Sequence, residues 1–197
     1  MNETLIESSR SQRLKAATHE AHDRLDKRIM AAQPFASREN YGRFLQVQYH
    51  FHCDMERYFL SPVLGSLIPE LPERSRRQQI KADLADLGVP LPEVEPGDGQ
   101  YGQQVSGLGW LYVAEGSNLG AAILLKLAAK LDLDEAFGAR HLAGHPDGRA
   151  RHWREFTGVL DRVTLSPEQE LEVIEAARDA FDRVRGHVER YMPVRSE

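Results

Sequence analysis

Apolar residues recur at helical spacing almost from the start of this chain. Leu14, Thr18, Ala21, His22, Leu25 and Ile29 fall at i, i+4, i+7, i+8, i+11 and i+15, the stripe of an amphipathic helix. Ser37, shortly after Pro34, has the side chain of an N-cap, and Tyr41, Phe44, Leu45, Gln48, Phe51 and Met55 carry a second helix to about Tyr58. Pro62, Pro69 and Pro72 cut the next stretch into short pieces. A third helix is predicted over 73–87, stopped by Gly88, and 89–100 (VPLPEVEPGDGQ) reads as loop. A long apolar helix is predicted over about 103–131, then a short one near 135–142, a turn at HPDGR and another helix over 151–163. Ser166-Pro167-Glu168-Gln169 combines a Ser cap, proline at N1 and Gln at N3, and opens a last helix to about Tyr191. No alternating run of β-branched residues predicts a strand. The pattern therefore predicts one all-α domain over 1–197, a bundle of about six to eight helices, with flexible ends at about 1–10 and 193–197.

The apolar helix carries the feature that is hardest to explain by folding alone. Gly116 and Gly120 lie one turn apart inside it, and each costs roughly 0.5–1 kcal/mol relative to alanine. Something must lie against that bare backbone, either another helix or a flat ligand. Ser117, Asn118, Ala121 and Ala122 keep the patch small and partly polar. Neither histidine nor arginine occurs between Gly107 and Leu125, so this helix offers neither as a strong acid–base catalyst.

Composition narrows the function classes. At 197 residues, 41% hydrophobic and 28% charged, the chain is a globular domain with room for one core. A net charge of -5 argues against nucleic acid as the main partner. Cys53 is the single cysteine, which excludes an internal disulfide, a CxxC redox motif and covalent c-type haem attachment, and suits a reducing cytosol. The start MNETLIESSRSQRLK has no signal-like apolar run, and nothing approaches 18 uninterrupted apolar residues, so the expectation is a cytoplasmic protein without a membrane span.

His22 is the first residue with candidate chemistry. A histidine on an apolar stripe is either a hydrogen-bonded core residue or a metal ligand. His19 and His22 face roughly the same way, but HEAH lacks zincin spacing, and Glu-x-x-His occurs nowhere in the chain. A lone histidine facing an apolar cavity suits axial ligation of haem iron better than a tetrahedral zinc site. Lys15 lies two turns earlier, roughly 10 Å along the same face, and Tyr112 precedes Gly116 by one turn. Taken alone, Lys15 reads better as an ordinary solvated lysine, and Tyr112 reads equally well as a packed aromatic.

Four segments, in order, resemble the bacterial haem oxygenases of the iron-acquisition type: RLKAATHEAHDRLD, PFASRENYGRFLQVQYHFH, GWLYVAEGSNLGAAILLK and FGARHLAGHPDGRARHW. The resemblance covers about Arg13 to Phe181. It implies that His22 is the axial iron ligand and that Gly116 and Gly120, with Ser117 and Asn118, form the distal helix over the haem. Lys15 and Tyr112 match propionate anchors of members that cleave at the α-meso carbon, so biliverdin IXα is the implied isomer. Asp26, Gln48, His52, Trp153 and Phe181 match positions of the distal water network or cavity wall. Haem b would be both cofactor and substrate, consumed with O2 to give biliverdin, CO and Fe2+. Electrons would come from an external ferredoxin or flavin reductase type of donor, since the chain has no GxGxxG loop and no cluster-binding cysteines. A monomer is expected. Three rival readings stand beside it: a haem carrier or sensor without turnover, a hydrolase using Cys53 as nucleophile, and a helical interaction module in which the two glycines only pack helices.

Overall fold

The computed structural model describes residues 8–94 and 105–194. Among them are seven α-helices and no strand: α1 Arg10–Ala31, α2 Arg38–Phe59, α3 Pro62–Leu67, α4 Arg77–Asp86, α5 Gly107–Ala128, α6 Arg149–Arg162 and α7 Pro167–Tyr191. The caps follow from the sequence. Ser9 with Gln12 and Ser166 with Gln169 each close a capping box, and Ser37 accepts from the Asn40 amide. The last helix opens on Pro167 as expected.

α7 is the centre of the bundle, packed on α5, α1 and α2, while α6 covers α5 and part of α1. The closest of these approaches needs a glycine. A Cβ on Gly109 would lie 2.7 Å from the Ala177 amide nitrogen and against the Val173 carbonyl, so α5 and α7 touch backbone to backbone there. The N-terminal half of α5 is buried through Leu108, Leu111, Val113 and Ala114. Gly107–Leu131, with its following turn, is long and apolar enough to cross a membrane by length and composition, contrary to the expectation from uninterrupted runs. Its packing against α7, α6 and α2 is that of a core helix with one face left uncovered.

Several expectations are corrected. The third helix is broken in two: a 3-10 turn at Pro72–Arg74, extended backbone at Ser75, then α4. Gly88 does end α4, at φ +64°, with Val89 donating back to the Leu84 carbonyl. The short helix near 135–142 does not form. The Asp134 carboxylate takes the amides of Ala136 and Phe137, Gly138 turns to φ +77°, and only Arg140–Leu142 makes a 3-10 turn. The start of the long helix at 103 lies outside the described residues, and α5 begins at Gly107.

Arg10, at the edge of the end expected to be flexible, is held in place. Arg10 is buried, bonded to Glu170 and to the carbonyls of Leu160 and Val163, so it ties the first turn of α1 to α6 and α7. Residues 1–7 and 195–197 of the expected flexible ends lie outside the described residues.

Candidate functional site

The uncovered face of α5 is where sequence left two readings open. A Cβ on Gly116 would make ordinary contact with the Trp153 ring at 3.6 Å, and one on Gly120 would meet nothing within 4 Å among the described residues. Neither glycine lets a helix of this chain approach; Gly109 does that. By the helical repeat, Tyr112, Gly116, Leu119, Gly120 and Ile123 share one face. Ile123 is 66% and Leu119 41% exposed. A bare backbone strip flanked by exposed aliphatic side chains fits a flat apolar ring.

Tyr112 and Trp153 wall one end of this strip, with ring centroids 5.5 Å apart. Burial pushes the Tyr112 hydroxyl upward, keeping it a protonated donor. The Ser117 hydroxyl donates to the Ala114 carbonyl at 2.7 Å, which leaves its oxygen free to accept. Asn118 does not share the face. It lies about 200° around the helix from Gly116 and lines a polar cavity of ≈ 140 Å³ behind α5 instead.

Across the bundle, His22 is not the core residue its place on the stripe implies. It sits about 60–80° off the Leu14–Leu25 line, and its side chain is 56% exposed. Phe181 of α7 braces the ring edge-on at 6.0 Å. The nearest Asp26 carboxylate oxygen is 3.5 Å from Nδ1, and Asp23 approaches to 3.8 Å. Both are ion-pair distances to Nδ1, and Nε2 has no partner among the described residues. Asp26 is thus a neighbour of His22. Lys15, two turns earlier, is exposed and carries no ion pair among the described residues. Both α1 and α5 pack mainly on α7 and little on each other.

The remaining candidates lie on α2. Gln48 is half-buried. His52 is fully buried and stacked on Phe59; burial, aided by the charges of His141 and Arg76, lowers its pKa to about 3. It is therefore neutral, and its Nδ1 has no partner. His141 is similar: burial lowers it, against the pull of the Asp83 carboxylate 2.8 Å from Nδ1, and its Nε2 is unpartnered. Buried orphan nitrogens of this kind are where ordered water is expected.

Sequence reading missed the polar groups behind α5. Glu115, buried beside Gly116, is 2.8 Å from Arg74, and Arg149 donates to the Asn118 carbonyl at 3.0 Å. None has a periodic signature, and a glutamate in an apolar run was the only hint.

The fold and its likeness to known proteins define the class. The chain belongs to the haem oxygenase family, enzymes that take haem as substrate and degrade it: residues 8–190 match the family described as Heme oxygenase. It is 44% identical over 189 residues to heme oxygenase PigA of Pseudomonas aeruginosa, spanning 95% of this chain and 96% of that protein. It also superposes on the NO- and CO-bound heme oxygenase from Neisseria meningitidis with a TM-score of 0.88 and 42% identity, over 96% of this chain and 94% of that one.

Proposed function

We propose that this chain cleaves haem b to biliverdin IXα, CO and Fe2+, with O2 and electrons from an external ferredoxin or flavin reductase type of donor. The observation that carries the reading is the glycine face of α5, open at Gly120 and walled by Trp153 at Gly116, in a bundle that also leaves His22 of α1 exposed. His22 would ligate the iron through Nε2, steadied by Asp26 and Phe181. Gly116 and Gly120 would let the backbone lie on the ring, with Ile123 and Leu119 against its apolar surface.

Bound haem supplies the iron chemistry; the protein supplies orientation and control of protons. Without a strong acid on the glycine face, protons must arrive through weak donors and water. Ser117, whose oxygen can accept, and the neutral His52 and His141 suit such a relay, and Gln48 adds an amide on the same helix as His52. Lys15 and the protonated Tyr112 would meet the two propionates. Fixing both tails fixes the in-plane rotation of the ring, and so the meso carbon presented for attack.

The test is haem titration of wild type and His22→Ala. Wild type should bind one haem and give the spectrum of a histidine-ligated iron. The variant should lose that spectrum and its turnover. An unchanged spectrum and activity in His22→Ala would refute the assignment.

A further inference from the structure

The distal strip has unusually weak support of its own. Gly116 and Gly120 lower its helix stability, and the Ser117 hydroxyl is spent on its own helix. Its backbone position must therefore be set from outside. Two arginines reach it from the side away from the glycine face. Arg149, at the start of α6, donates to the carbonyl of Asn118, midway between the glycines, and also bonds the Leu142 carbonyl. No carboxylate partners Arg149 among the described residues, so its charge is directed at backbone. A donor acting on a helix carbonyl pulls it outward and bends the ladder at that point.

The second arginine works through a side chain. Glu115, one residue before Gly116, is 3% exposed. Arg74 lies 2.8 Å from its carboxylate and also donates to His152 Nε2 at 2.8 Å, while its guanidinium packs over the Phe156 ring. Arginine can only donate, so His152 Nε2 is the acceptor of that bond, and the same nitrogen lies 3.4 Å from the Glu115 carboxylate. A buried ion pair is a poor way to gain stability, because a well-packed apolar pair is often as good or better. What it offers is one fixed geometry. Arg74 lines the polar cavity beside Asn118, which has room for water, and its Nε is buried and unpartnered.

Resting on the haem-cleaving reading above, we propose that Arg149 and Arg74 are positioning residues. From behind α5 they hold segment 115–120 at a set bend and height, and so fix how closely the Gly116 and Gly120 backbone approaches the ring. Removing either clamp lets the strip relax, which alters the space and hydrogen bonding on the distal side without touching His22.

Arg149→Gln and Glu115→Gln, each loaded with haem, test this. Both should retain one-to-one haem binding and helical content. The pH at which the ferric spectrum passes from its acid to its alkaline form should shift by about half a unit or more, a roughly threefold change in the equilibrium. The biliverdin isomer pattern should broaden, and Arg149→Lys, which keeps a donor, should restore much of both. If Arg149→Gln does not fold, the near-isosteric Glu115→Gln decides by the same two readouts. Variants with an unmoved transition and an unchanged isomer pattern would overturn the proposal. Wild type that takes up no haem would overturn the functional reading beneath it.

Discussion

His52 links burial to a measurable pH dependence. Its pKa is about 3 in the folded protein against 6.5 in the ordinary state. The unfolded chain therefore binds the extra proton first, and stability falls as pH drops from about 6.5 toward 3, by about 1.4 kcal/mol per pH unit. Asp83 steepens the lower part. Burial pushes its carboxyl up, but the bonds from His141 and Arg140 outweigh this and hold it low, so its contribution is lost as acid protonates it. Denaturant melts of wild type and His52→Gln from pH 7 to 5 should show a shallower slope in the variant; equal slopes would mean that His52 titrates normally. Lys15 and Tyr112 act at the same scale. The double variant Lys15→Ala with Tyr112→Phe should yield mixed biliverdin isomers by chromatography, whereas a single isomer would show that other residues orient the ring. The identity of these residues was legible in the sequence, but their settings were not. His22 counted as part of an apolar stripe because Thr18 and Ala21 blur its edge, and only the packing of α7 shows that it lies on the exposed flank.

The glycines of α5 separate folding from function at the level of one helix. Gly109 is a contact glycine: a methyl there collides with the backbone of α7, and Gly109→Ala should cost at least about 1–3 kcal/mol of stability. Gly120 has open space, so Gly120→Ala should stabilise the haem-free protein by roughly 0.5–1 kcal/mol, or about 1–4 °C in Tm, while impairing haem turnover. A thermal melt and an activity assay on the two variants check this; loss of stability in Gly120→Ala would return that glycine to a packing role. Helix periodicity and caps made most elements readable in advance, as with the Ser166 start of α7. The failures came where local polar bonds competed with the helix, at Ser75 and at Asp134. The Arg74–Glu115 and Arg149–Asn118 contacts were invisible because they join residues 41 and 31 positions apart, with no repeating pattern.

For the molecule as a whole, α7 is the beam on which the two candidate faces, on α1 and α5, are mounted. It braces His22 through Phe181 and seats α5 at Gly109, so a change along its length can reach both α1 and α5. Arg10 pins the start of α1 to α6 and α7, which keeps the His22 helix in register with the glycine helix. The central claim is that this arrangement turns haem over and does not merely hold it. The direct measurement is anaerobic loading with one equivalent of haem, followed by air and ascorbate or a reductase, recording Soret decay, CO release and the bilin formed. The account expects loss of the Soret band, CO in step with it, and biliverdin IXα. Stable haem with neither CO nor bilin, under conditions that reduce the iron, would contradict it and make the protein a carrier or sensor.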